Sequence, residues 1–164
     1  HEIANHSYNH KKMDLLSADE VKKEIETCSD LVESLTGERP KYFRPPGGRR
    51  NETVLSVCNS LGLTMALWDI NAQDYGAETS YYPIENELAK KKYNPYGTLT
   101  EKIMSQIKPG SIVLMHNGGI ITAALPFIIT QLRNKGFEIV PVGELLKWGR
   151  PIDTASLDDE DVPD

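Results

Sequence analysis

The sequence predicts an α/β fold with a mainly parallel sheet. Two observations carry this. Short apolar runs suited to buried strands alternate with segments whose apolar residues recur at helical spacing, and capping or stop residues bracket most of the helical segments. No internal repeat competes with that reading. In α/β folds, chemistry gathers at the C-terminal ends of strands, so residues there are the first candidates for a site.

The elements follow in order. Ser17 and Glu20 form a capping box, and Val21, Ile25, Cys28, Val32 and Leu35 then mark the apolar face of a helix that Gly37 stops. Tyr42-Phe43 reads as a short strand, broken at once by Pro45-Pro46-Gly47-Gly48. Asn51 caps a second helix carrying Val54, Leu55, Cys58 and Leu61, ended by Gly62. Leu63 to Ile70 reads as one strand, apolar enough to be buried on both faces. Between 71 and 98 turn signals stand at Tyr75-Gly76, Tyr81-Tyr82-Pro83 and Asn94-Pro95-Tyr96-Gly97, around a short helix Ile84 to Lys92. That length suits a lid or a substrate-contacting insertion. Thr100 to Ile107 is predicted as a helix, Ser111 to Met115 as a buried strand, Ala123 to Lys135 as a helix, Phe137 to Pro141 as a strand, and Val142 to Trp148 as a last short helix. The boundaries drawn are a domain over 1–149 and an acidic, disordered tail over 150–164, where Asp158-Asp159-Glu160-Asp161 stands.

The chain has 164 residues, enough for one domain with a real core. A formal charge of -6 with no Lys/Arg cluster argues against nucleic acid, and Lys90-Lys91-Lys92 reads as a solvated helix end. No apolar run approaches the ~20 residues needed to span a bilayer, and no signal peptide is visible. Cys28 and Cys58 read as two buried thiols; a disulfide between them stays open.

Four segments could carry chemistry. His6 and His10 are four apart, so on a helical turn they would share a face and could grip one metal ion; as an isolated pair they could equally be surface histidines. Asn5, Ser7 and Asn9 beside them could orient the rings. Arg44-Pro45-Pro46-Gly47-Gly48 follows a strand, where Arg44 could hold a carboxylate and N–H groups near Gly47 could face an oxyanion, or the segment could be a plain turn. Trp68 to Tyr75 brings Asp69, Asp74 and two aromatic rings to a strand end, a composition suited to a sugar or to core and turn caps. His116 ends the apolar run Ile112 to Met115 and precedes Gly118-Gly119, as either a general acid/base or a core histidine.

In this order the segments resemble the NodB-homology polysaccharide deacetylases, the fourth family of carbohydrate esterases. His6-Ser7-Tyr8-Asn9-His10 is similar to that family's His-Ser/Thr-x-x-His motif. Arg44 to Gly48 is similar to its Arg-Pro-Pro segment, Trp68 to Tyr75 to its fourth motif, and Leu114-Met115-His116 to its Leu-x-His motif. The resemblance runs from His1 to about Trp148 and implies a distorted (β/α) barrel that hydrolyses acetyl groups, chiefly N-acetyl, on a polysaccharide such as peptidoglycan or chitin. It implies that His6 and His10 bind a divalent metal, usually Zn2+ with Co2+ as an alternative. His116 would protonate the leaving amine, with Asp74 pairing with it to keep it charged. Arg44 would orient the base carboxylate, Gly47 would lend an N–H to the oxyanion, and Leu114 and Tyr75 would wall the acetyl pocket. It further implies a bacterial, extracellular or cell-wall setting.

Some positions depart from the family pattern. Its first motif, an Asp-Asp segment supplying the base and the third metal ligand, is absent from these residues. Leu157-Asp158-Asp159 has no strand before it and is no substitute. The sequence thus predicts an upstream segment that completes the site, and an isolated chain without activity. Gly47 stands where many relatives have tyrosine, Tyr75 where tryptophan is common, and Asn71 and Asn117 where aspartate is frequent. The competing expectation is a catalytically incomplete sugar-binding domain on the same fold.

Overall fold

The computed structural model describes residues 1–74, 95–117 and 119–148. The expected helix Ile84 to Lys92, the turns at Tyr75-Gly76 and Tyr81-Tyr82-Pro83, and the acidic tail lie outside the described residues. The chain divides into two compact units, His1–Leu67 joined by the stretch from Pro141 onward, and Trp68–Val140.

In the first unit, α1 spans Ala18–Thr36. Ser17 caps it as predicted: its side chain accepts from Glu20 N, and Glu20 Oε2 accepts from Ser17 N at 2.9 Å. Gly37 ends it in the left-handed region at φ 79, where a side chain would be strained. Next come β1 (Tyr42–Phe43), a 3-10 turn (Pro46–Gly48), α2 (Glu52–Ser60) and β2 (Thr64–Met65). Asn51 Oδ1 accepts from Val54 N and starts α2. The strands β1 and β2 pair in parallel, Tyr42 opposite Thr64 and Phe43 opposite Met65. Parallel neighbours need a crossover, and α2 supplies it. Met13, Val21, Ile25, Phe43, Val54, Cys58, Leu63 and Met65 make the core. The closing helix α3, Val142–Lys147, is tied back by Gly143 N, which donates to Glu2 Oε2 at 2.8 Å.

The second unit repeats the plan. Strand β3 (Ile70–Asn71) pairs in parallel with β4 (Val113–Leu114), with the helix α4 (Pro95–Gln106) between them in sequence and α5 (Gly119–Asn134) after them. Ile70, Ala72, Leu99, Ile103, Ile121, Ala124, Ile128 and Leu132 form its core. The α/β class and the parallel pairing therefore agree with the sequence.

Several expected elements differ. The single strand Leu63 to Ile70 is two short strands, because the backbone stops pairing with β1 at Ala66 and takes Ile112 as its partner from Asp69 onward. Nor is it buried on both faces, since Thr64 is half-buried and Asp69 exposed. The strand at 111–115 shrinks to Val113–Leu114 and is half-buried. The helices expected from Thr100 and Ala123 begin earlier, at Pro95 and Gly119. Proline suits a first helical turn, whose N–H groups have no partner within the helix anyway. Phe137 to Pro141 forms no strand; it has no ladder partner among the described residues, and Ile139 is 52% exposed. On α1 the buried stripe takes in Glu24 and Ser29, while Leu35 is exposed and Cys28 half-buried. Both cysteines are free thiols, and burial pushes the Cys58 thiol up to about 11. No helix among the described residues is long and apolar enough to cross a membrane.

Candidate active site

The candidate residues fall into two groups, one in each unit. The first is built on the edge of β1. Asn5 bridges Phe43 in parallel: Asn5 N donates to Tyr42 O and Arg44 N to Asn5 O, both at 2.9 Å. Residues 6–10 are not helical, which corrects the helical turn expected there. Ser7 and His10 instead adopt positive φ, 64 and 54. Two side-chain turns impose this. Asn5 Oδ1 accepts from Ser7 N at 2.8 Å, and Ser7 Oγ accepts from His10 N at 3.0 Å.

The loop still brings the two imidazoles together, with ring centroids 5.1 Å apart and planes at 71°. His6 Nδ1 lies 2.6 Å from the Arg44 carbonyl oxygen. A carbonyl can only accept, so Nδ1 carries the proton and the neutral ring has its lone pair on Nε2. That is the arrangement by which an outer hydrogen bond orients a metal-binding histidine. The chemistry of the two rings suits a divalent metal as part of a donor set. Among the described residues, no group of three His, Cys, Asp or Glu side chains completes it.

Arg44 follows β1, and its Nε and Nη2 donate to the carbonyls of Ala66 and Leu67 at 3.0 and 3.2 Å, just past β2. Burial pulls its guanidinium below the ordinary value, yet it stays charged at neutral pH. Pro45 and Pro46 are buried, and Gly47 is exposed at φ 59, ψ 13. This left-handed turn brings a bare stretch of backbone to the surface, where glycine is unstrained.

The second group sits at the ends of β3 and β4. Asn71 and Leu114 are register partners, so the chain leaves the two strands side by side, toward Asp74 and His116. The Asp74 side chain is fully buried and makes a double contact. Its Oδ1 lies 2.8 Å from His116 Nδ1, and its Oδ2 accepts from His116 N at 2.6 Å. The carboxylate thus fixes both the backbone and the ring of His116, whose side chain is 47% exposed. The Asp74–His116 pairing implied by the resemblance is present. Asp69 turns to Ile112 N at 2.6 Å and serves the sheet. Leu114 is half-buried on β4; Tyr75 and Gly118 lie outside the described residues.

The sequence reading missed Glu24 and Ser29. Asn5 Nδ2 donates to Ile25 O and Ser29 Oγ, each at 2.8 Å. Glu24 accepts from Asn9 N and Asn9 Nδ2 at 2.7 and 2.8 Å. Burial alone would raise the Glu24 carboxyl, but the Asn9 donors and Lys11 outweigh it and hold it below the usual range. The signal was available: Glu24 lies at helical spacing from Val21 and Cys28, so it stands on the apolar stripe itself.

Comparison with known proteins adds the family. A family model described as polysaccharide deacetylase matches residues 1–66. An uncharacterized protein of Bacillus subtilis is 27% identical over 146 residues, covering 89% of this chain and 41% of that protein. The peptidoglycan-N-acetylmuramic acid deacetylase of Bacillus subtilis is 30% identical over 145 residues, covering 88% of this chain and 27% of that enzyme. Among solved structures, a pseudoenzyme of carbohydrate esterase family 4 from Bacillus anthracis superposes with a TM-score of 0.73 at 28% identity, over 88% of this chain and 46% of that one. The chain therefore spans less than half the length of these three proteins. The family match falls on the segment that carries His6, His10, Arg44 and Gly47, and the structural likeness extends over both units. Residues 1–66 thus match the polysaccharide deacetylase family, and the chain has the fold of carbohydrate esterase family 4.

Proposed function

We propose that the protein hydrolyses N-acetyl groups on a cell-wall polysaccharide of the peptidoglycan or chitin type, with a divalent metal, Zn2+ or Co2+, held in part by His6 and His10. The observation that carries this is the His6–His10 ring pair with His6 Nδ1 fixed on the Arg44 carbonyl, inside the segment that the family model matches. The names of relatives, peptidoglycan deacetylases among them, support the substrate class.

In the proposed reaction, water adds to the acetyl carbon, the C–N bond breaks, and acetate and a free amine leave. A divalent metal, when bound, supplies Lewis acidity to the carbonyl and lowers the pKa of water. His6 offers Nε2 to that metal because Nδ1 is engaged with Arg44 O. The backbone at Gly47 lends an N–H to the developing oxyanion. His116 donates a proton from Nε2 to the leaving amine. Asp74 orients it for this step by accepting from both its backbone and its Nδ1. Arg44 orients the carboxylate of the base. Leu114 and Tyr75 wall the acetyl methyl.

The test is acetate release by the metal-loaded, full-length protein from chito-oligosaccharides and peptidoglycan. Release that stops with a chelator and with His116→Ala is the expected result; no release from either polymer sinks the reading. The likeness to the pseudoenzyme favours a second reading, a sugar-binding domain that has kept the fold. His116→Ala separates the two, since a binding module would keep its affinity for sugar.

A further inference from the structure

We propose, on the metal role given to His6 and His10, that Glu24 is a positioning residue for His10: a carboxylate on α1 that clamps the metal-binding loop on both sides of that histidine. Glu24 is 5% exposed, on the same stripe of α1 as the fully buried Val21 and Ile25. A carboxylate is costly to bury unless its oxygens are occupied by donors. Here they are. Oε2 accepts from Asn9 N at 2.7 Å, Oε1 accepts from Asn9 Nδ2 at 2.8 Å, and Lys11 Nζ lies 3.4 Å from Oε1. Asn9 and Lys11 are the two chain neighbours of His10. One buried carboxylate therefore grips the chain immediately before and immediately after a single exposed histidine.

His10 needs such a grip. Its φ of 54 is in the left-handed region, which a residue with a side chain enters only when its surroundings hold it there. Its own N–H is bound by Ser7 Oγ, and Ser7 is itself left-handed at φ 64. The local turns alone thus stack one strained residue on another. Asn5 anchors the His6 end of the loop to Ile25 O and Ser29 Oγ. Glu24 anchors the His10 end. The same helix holds both ends, and the direction of each Cα–Cβ bond is set from there. Glu24 acts through Asn9 and Lys11 and is no ligand itself. Metal sites lose affinity when ligands drift by fractions of an ångström, so the clamp acts on metal binding rather than on stability alone.

Co2+ alone, titrated into the full-length protein and followed by its visible absorption, tests this. Glu24→Gln keeps the size but places an NH2 among donors, and is expected to weaken Co2+ binding about ten- to hundredfold and to alter the Co2+ absorption band. Asn9→Ala, at an exposed position, is expected to weaken binding in the same direction. The double variant should be little worse than Glu24→Gln, since both act through one contact. Should Glu24→Gln fold poorly, Asn9→Ala carries the test. Asp14→Asn, which loosens the Asp14–Arg49 pair, should lower Tm and leave Co2+ affinity unchanged. Wild-type Co2+ affinity in both Glu24→Gln and Asn9→Ala overturns the inference. So does Asp14→Asn losing as much affinity as Glu24→Gln at the same loss of Tm. Failure of the metal reading is separately visible, as His6→Ala and His10→Ala binding Co2+ as tightly as wild type.

Discussion

At the residue scale, the clearest chemistry is the Asp74–His116 pair. The carboxylate accepts twice from one residue while fully buried. Asp74→Asn keeps the shape but turns one of those acceptors into a donor that faces an N–H. For the proposed hydrolysis, the expected result is a fall in kcat of about a hundred- to ten-thousandfold with a smaller change in KM, the usual range for losing a positioned acid. Steady-state kinetics of acetate release decides it; an unchanged kcat would remove Asp74 from the mechanism. In the sequence, His116 stood out at the end of an apolar run, His6 and His10 by their spacing of four, and Arg44 and Asp74 by the segments that carry the resemblance. The loop's left-handed path was hidden, since it depends on where Asn5 and Glu24 find their partners twenty and fifteen residues away in sequence. Spacing of four suggests a helix only when no such partner competes.

At the scale of elements, the caps were the most legible features. Ser17 with Glu20, and Asn51 with Val54, form the hydrogen bonds that their residue types predict. Asn51→Ala is expected to cost about 1 kcal/mol, seen as a lower urea midpoint with an unchanged m-value. Strand extents were less legible. A run such as Leu63 to Ile70 has uniform apolar character, but its pairing partner changes midway, and composition carries no mark of that change. Phe137 to Pro141 shows the reverse case, strand-like residues without a ladder partner among the described residues.

At the scale of the molecule, several carboxyls are held below their ordinary values. Hydrogen bonds from Arg49 do this for Asp14, with burial opposing, and hydrogen bonds from Ser17 do it for Glu20. A carboxyl with a lowered folded-state pKa adds stability that is fully present above its unfolded value. That stability is lost as the pH falls through the folded value. The melting temperature is therefore expected to hold from pH 7 to about 5 and to drop below about pH 4. Asp14→Asn should start lower at pH 7 and show a shallower drop. Equal slopes for the two proteins, measured by thermal melts across that range, would remove Asp14 from the acid response.

The hydrogen bond from Gly143 to Glu2 has a consequence for the order of events in making the protein. It joins residues 141 positions apart, and the first unit takes its last helix from beyond the whole of the second. A ribosome delivers the chain from its N-terminus. Residues 1–67 emerge early, yet the unit they belong to cannot close until Val142–Lys147 has also left the exit tunnel. The second unit is continuous and can form in the meantime. Contacts of such long sequence separation are slow to form because the loop must be closed first. Val142–Lys147 thus acts as a late latch on the first unit.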